Sequence, residues 1–346
     1  MLTRVLTSKY SYIFFLSISI VFHQESKSQS LEVNGLIEEV EVIRDNNGIN
    51  HIYAQNEHDL FFSQGYLAAK DRLFQFEVWR RRATGTLAEI LGPKALDRDK
   101  GARLFQFRGN KKEELSHYHP KGEQIVDAFV KGVNTYISEV RENQELLPFE
   151  FKALGILPEY WTWEVVISRH QGLLENVEDE LKYARVVSQI GSELAKKLYY
   201  FHPNDPNLEL PEGIPQELLF KDILAPYTAF RKGLTFEAED VALAIRNTDA
   251  DLIAEQQAFK LEEKEYQDFE KYDIGSNNWV ISGDKSQSGY PIMANDPHRL
   301  HAVPSLRYWV HLNAPGWDVI GGGEPVIPGV SIGHNGFGAW GLTIFS

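Results

Sequence analysis

The chain has 346 residues, 43% hydrophobic and 24% charged, which suits one large or two ordinary folded domains and argues against disorder. Its 49 acidic residues outweigh 35 basic ones, and a net charge of −14 repels phosphate backbones and anionic lipid, so neither nucleic acid nor a membrane is an expected partner. With no cysteine at all, disulfides, thiol catalysis and thiolate metal sites are excluded together.

Arg4 and Lys9 precede an apolar run from Ile13 to Phe22 and the small, polar stretch Ser26-Lys27-Ser28. The run is about half the length a membrane-spanning helix needs, so residues 1–28 read as a signal peptide cut near Ser28, and a secreted or periplasmic protein is expected. Val40 to Arg44 and Ile49 to Tyr53 are predicted strands around the turn Asp45-Asn46-Asn47-Gly48. Asn56 is placed to cap a helix from Glu57 into the 70s or low 80s, with Leu60, Phe61, Leu67, Ala68 and Phe74 as apolar positions. A second helix over Glu123 to Glu142 carries Ile125, Phe129, Val133, Tyr136, Ile137 and Val140 on one stripe. A third is expected over Asp179 to Leu198.

From Phe201 onward Pro203, Pro206, Pro211, Pro215 and Pro226 interrupt the pattern. Between Phe236 and Asp273 twelve acidic residues stand against four basic ones, which suits either a solvated helical face or a removable linker. After Ile274 the composition turns to short apolar strands separated by Gly, Pro and Asn-Gly. Strands are predicted at Ser276 to Ser282, Tyr290 to Asn295, Leu306 to Leu312, Trp317 to Ile320, Pro328 to Ile332 and Ala339 to Phe345. Helices first and sheet last give an α+β class.

If the hairpin centred near Ser286 is regular, Ser276 faces Asn295 or Asp296, and His298 lies just past that partner. A serine opening a strand, with an imidazole returned by the next, is a plausible nucleophile and base. By spacing alone the signal is weak, since such a serine more often simply initiates a strand and such a histidine is more often a satisfied surface residue.

Longer stretches carry more. Val42-Ile43-Arg44-Asp45 with Gly48 and His51-Ile52-Tyr53-Ala54, Gly65-Tyr66 with Ala69 to Gln75, and Gly85 to Gly92 come first. Gly275-Ser276-Asn277-Asn278-Trp279-Val280, Ala294-Asn295-Asp296-Pro297-His298, Gly333-His334-Asn335-Gly336 and Trp340-Gly341-Leu342-Thr343 follow. In order and spacing these resemble the penicillin acylase family of N-terminal-nucleophile hydrolases, over nearly the whole mature chain.

The resemblance implies an αββα sandwich, two antiparallel sheets covered by helices, of which this chain is the N-terminal portion, incomplete at its C-terminus. It implies a precursor that cuts itself between Gly275 and Ser276. Residues 29–200 then form a small chain, 201–275 a spacer, and 276–346 the start of a large chain that stays with the small one. Ser276 is the implied nucleophile, acting on a small-molecule acyl-amide with its own freed amine as base. His298 supports that amine, and the backbone N–H of Ile344 donates to the oxyanion. A second oxyanion donor, an Asn, lies downstream in family members. Calcium is the implied metal, with Glu180 as one ligand and the others beyond Ser346; a solvated acidic helix start is the competing reading of Glu180.

Three rival signals compete with this reading. Gly329-Val330-Ser331-Ile332-Gly333 matches a nucleophile elbow, but His334-Asn335-Gly336-Phe337-Gly338 is a turn where that motif demands a helix. Asp296, His298, His301 and His311 could suggest zinc, but the i, i+3 histidines fall in an expected loop. An exported, non-catalytic β-rich binding scaffold is the alternative function, and it has no reason to carry a second N-terminus at Ser276.

Overall fold

The computed structural model describes residues 30–169, 176–242, 276–298 and 303–343. The expected signal peptide, Gly275, Ile344, His301 and most of the acidic run lie outside them.

Strands β1 (Glu41–Arg44) and β2 (Asn50–Tyr53) form the opening hairpin, Arg44 facing Asn50 across it. Asp45 Oδ1 accepts the Asn47 and Ile49 N–H groups and shapes the turn. Helix α1 (Glu57–Thr84) starts at Asn56, whose side chain accepts from Asp59 N–H, and stops at Gly85 in the left-handed region, φ +63°. Both ends are therefore set by local chemistry.

The remaining helices are α2 (Ala88–Leu91), α3 (Leu96–Phe105), α4 (Lys111–Tyr118) and α5 (Gly122–Glu142). They continue as α6 (Phe149–Leu154), α7 (Trp163–Ser168), α8 (Val177–Ile190), α9 (Ser192–Leu198) and α10 (Ala225–Arg231). α5 buries the predicted stripe, and each such side chain contributes roughly 1.5–3 kcal/mol by leaving water. It crosses α1 at two glycines. A Cβ on Gly65 would sit 2.1 Å from the Phe129 carbonyl oxygen, and one on Gly132 1.9 Å from that of Phe62. Only hydrogen fits at either position. The single helix expected over Asp179 to Leu198 is two helices, because Gly191 adopts φ +80° between them.

Strands β3 (Ser276–Ile281) and β4 (Ile292–Pro297) form a two-stranded sheet. Strands β5 (Tyr308–Ala314), β6 (Trp317–Gly323), β7 (Ile332–Asn335) and β8 (Ala339–Trp340) join the opening hairpin in a six-stranded sheet ordered β1-β2-β5-β6-β7-β8. The α+β class holds. One junction departs from the expected antiparallel pairing: β2 and β5 run parallel, Asn50 opposite Val310 and Tyr53 opposite Asn313. A parallel neighbour needs a long crossover, and the helical layer between Tyr53 and Tyr308 supplies it. β5 turns Tyr308, Val310, Leu312 and Ala314 inward and Trp309, His311 and Asn313 outward. Phe61 of α1 meets Trp317 of β6 edge to face, 5.1 Å between centroids, and Glu57 accepts the Trp317 indole N–H at 3.0 Å.

β7 starts later than the strand expected at Pro328 to Ile332. Gln64 of α1 grips Gly329 from both sides, donating to its carbonyl at 2.9 Å and accepting its N–H at 2.9 Å. Those backbone groups are then taken and cannot enter a ladder.

Buried polar groups bind the segments together. Tyr308 Oη donates to Asp71 at 2.8 Å and accepts from Asn50 Nδ2 at 2.7 Å, while Arg44 also bonds Asp71. Burial, and then the adjacent Asp71 carboxylate, push the Tyr308 hydroxyl far above its ordinary range. Asp59 is fully buried and accepts from the Ile37 and Glu38 N–H groups and Asn56 Nδ2. Burial alone raises its carboxyl, but the bonds from Ile37, His58, Asn56 and Glu38 outweigh this and hold it below its usual value.

Candidate active site

Ser276 is the first residue of β3, and the turn that follows fixes what stands opposite it. A tight 3₁₀ turn at Gly283–Lys285, then Gly289 at φ +76°, lengthens the connection. The register is Ser276 with Pro297, Asn277 with Asp296 and Asn278 with Asn295. Ser276 thus faces Pro297 instead of the expected Asn295 or Asp296, because a regular hairpin centred near Ser286 ignores those extra turn residues. His298 still follows the partner directly.

Alternation along the pair puts Ser276, Asn278 and Asn295 on one face and Asn277 with Asp296 on the other. His298 joins the second face: its Nε2 lies 3.1 Å from Asp296 Oδ2 and 3.5 Å from Asn277 Nδ2. The imidazole is therefore fixed beside the residue next to Ser276, with a carboxylate as its near partner. Among the described residues β3 and β4 are exposed or half-buried, and Ser276 itself is half-buried.

The segment after β8 reaches the serine face. Thr343 Oγ1 donates to the Ser276 carbonyl at 3.1 Å. Asn295 clamps the residue before it, Nδ2 donating to the Leu342 carbonyl at 2.9 Å and Oδ1 receiving the Leu342 N–H at 3.4 Å. Gly341 passes so close that a Cβ there would stand 2.7 Å from Asn295 Cγ. Trp340 anchors the strand end through its indole N–H to the Val330 carbonyl, 3.3 Å. The chain entering Ile344 is thereby delivered beside Ser276, and Ile344 itself lies outside the described residues, as does Gly275.

Asn295 and Thr343 were not singled out by sequence reasoning as positioning residues. The signal was present, since both stand inside the stretches that carry the family resemblance. The elbow reading fails: Gly329 to Ser331 form an irregular segment that leads into β7 at Ile332, and Asn335 Oδ1 accepts from Phe337 and Gly338 N–H in the turn that follows, where the motif demands a helix. Of the zinc candidates, His311 sits in β5 of the six-stranded sheet beside His51, whereas Asp296 belongs to β4 of the two-stranded sheet and is bonded by His298.

Glu180 occupies the exposed first turn of α8 and is bonded by Asn176. No group of three His, Cys, Asp or Glu side chains suited to a metal occurs among the described residues. One carboxylate is far short of the six to eight oxygens calcium takes, so the described residues do not by themselves fit that ion.

The sequence profile described as penicillin amidase matches residues 39–346. Similar curated proteins include acyl-homoserine lactone acylase QuiP of Pseudomonas aeruginosa, 29% identical over 90% of this chain and 34% of that protein. Penicillin acylase 2 proenzyme of Pseudomonas sp. (strain SE83) is 31% identical over 91% of this chain and 37% of its own length. A solved thermostable penicillin G acylase from Alcaligenes faecalis aligns with a TM-score of 0.41 and 27% identity, covering 52% of this chain and 98% of the solved one. The chain spans about a third of the length of the curated relatives it matches. A match that runs unbroken from the opening hairpin through Ser276 to the end of the sequence settles its kinship: the chain belongs to the penicillin amidase family.

Proposed function

We propose that the protein carrying this sequence hydrolyses the amide bond of an acylated small molecule through an acyl-enzyme on Ser276, after cutting itself between Gly275 and Ser276. The observation that carries the proposal is the junction at Ser276, where Thr343 and Asn295 dock the strand end leading to Ile344 against the residue that opens β3.

In the self-cleavage step Ser276 Oγ attacks the Gly275 carbonyl, the C–N bond breaks and an ester forms. Water then hydrolyses the ester, leaving a Gly275 carboxylate and a free amine on Ser276. A glycine before the cut lets the hydroxyl approach, since it has no Cβ. An α-amine titrates at about 7.7–8.0, so near neutral pH a usable fraction is unprotonated and takes the hydroxyl proton during attack on substrate. The Ile344 N–H helps hold the tetrahedral oxyanion, the amine returns its proton to the leaving amine, and water releases the acid. His298, braced by Asp296, orients the Ser276 amine.

The relatives' names span penicillin and acyl-homoserine lactone acylases, and the substrate class is proposed only as an acyl-amide of that breadth. Export belongs to the same proposal, as do small and large chains that stay together after the cut. Glu180 serves calcium only if further oxygen ligands join it. Among the described residues no helix is long and apolar enough to cross a membrane.

The test is intact-mass analysis and N-terminal sequencing of the purified full-length precursor, followed by a panel of acyl-amides varied in chain length and head group. A new N-terminus at Ser276 is expected, and a single uncut chain in Ser276→Ala. Efficient cutting in that variant sinks the nucleophile assignment. A wild-type protein that stays uncut and turns over nothing is instead the exported binding scaffold.

A further inference from the structure

The outward face of the six-stranded sheet carries a cluster that the chemistry at Ser276 does not use. His51 of β2 and His311 of β5 stand opposite each other at the parallel junction, with their Nδ1 atoms 3.1 Å apart. The far nitrogens each face a carboxylate: His51 Nε2 lies 3.5 Å from Asp45 Oδ2, and His311 Nε2 3.0 Å from Asp318 Oδ1. Tyr53 stands edge-on to the His311 ring, centroids 5.6 Å apart, and restricts its rotation.

Counting protons shows what this geometry lacks. Two neutral rings carry one N–H each, and both are needed at Nε2 to meet the two carboxylates. The Nδ1 atoms then turn lone pairs toward each other at 3.1 Å. Moving one N–H to Nδ1 mends that contact only by turning a bare nitrogen toward a carboxylate. A cation between the Nδ1 atoms satisfies every atom at once, either a proton that makes one ring an imidazolium or a metal ion.

Metal geometry fits the gap. Nitrogens bound at roughly 2.0–2.1 Å stand about 3.3–3.4 Å apart on a tetrahedral centre and about 2.8–3.0 Å apart at adjacent square-planar positions, and the observed spacing lies between. Imidazole ligands that pass their other N–H to a carboxylate are the usual outer arrangement at such sites. We propose that His51 and His311 form a binding site for one divalent late transition-metal ion, Zn²⁺ or Cu²⁺, held between their Nδ1 atoms, with Asp45 and Asp318 as outer acceptors. Among the described residues no third side chain closes the site, so water completes the coordination and the ion exchanges. One ligand precedes Ser276 in the chain and the other follows it, so the ion ties β2 to β5 across the expected cut.

The experiment is titration of the chelator-treated full chain with Cu²⁺ or Zn²⁺, following stoichiometry by calorimetry and the Cu²⁺ ligands by electron paramagnetic resonance. One ion per chain is expected, with hyperfine structure from two nitrogens. His51→Ala and His311→Ala each abolish it, and His119→Ala does not. Asp318→Asn alters only an exposed carboxylate and weakens binding about 10- to 100-fold, which decides the matter if either histidine variant folds poorly. Binding that survives in both histidine variants, or is unchanged in Asp318→Asn, overturns the site. So does a wild-type chain that takes up no ion, in which case ¹⁵N spectra are expected to show one proton shared between the two Nδ1 atoms.

Discussion

Replacing Asn295 by alanine removes both hydrogen bonds that fix Leu342, the full one at 2.9 Å to its carbonyl and the marginal one at 3.4 Å from its N–H. Both are solvent-exposed, so together they are worth about 1–1.5 kcal/mol. If that energy is what keeps the strand end leading to Ile344 against Ser276, losing it shifts the balance toward displaced positions about tenfold, since 1.4 kcal/mol is one decade. The expected result in the full-length precursor is therefore about a tenfold slower release of amine from an acyl-amide, with the unfolding free energy lowered by no more than about 1.5 kcal/mol. Gly341→Ala reaches the same defect from the other side, because its new Cβ collides with Asn295 at 2.7 Å. The assay is kcat on one acyl-amide, with circular dichroism melts as the folding control. A loss under about twofold means that other contacts hold Leu342. A loss above about a thousandfold means that Asn295 acts on the reacting atoms themselves, and the positioning argument fails in either case.

His298→Gln should keep measurable activity, down about ten- to a thousandfold, because an amide side chain can still position the Ser276 amine; a loss as complete as in Ser276→Ala makes His298 the general base. Tyr308→Phe strips a buried partner from Asn50 and Asp71 and should cost about 1–3 kcal/mol in urea unfolding, whereas an unchanged midpoint shows the network to be dispensable. Asp59 has a folded-state carboxyl below its ordinary value, so its stabilisation is complete above the unfolded value of about 3.9 and is lost as pH falls through the lower folded one. Asp59→Asn should therefore lose stability mainly at neutral pH and flatten the acid limb of the stability profile, and an acid limb of unchanged steepness contradicts this.

The sequence by itself determined the elements whose signals are local. Asn56 and Gly85 bracket α1, the apolar stripe defines α5, Asp45 to Gly48 closes the first hairpin, and Ser276 opens a strand, because caps, turns and periodicity act over a few residues. The motifs around Ser276 and Thr343 carried the family likewise. Shorter helices such as α3 and α7 went unread, since ten residues or fewer give too little periodicity to stand out. The tertiary structure alone decided the parallel pairing of β2 with β5, the Pro297 register, the late start of β7 under Gln64, the Asn295 clamp on Leu342, and the meeting of His51 with His311. Each joins residues through backbone ladders or side-chain bonds whose partners are set by how the chain closes over long separations, and local propensity carries no record of that closure.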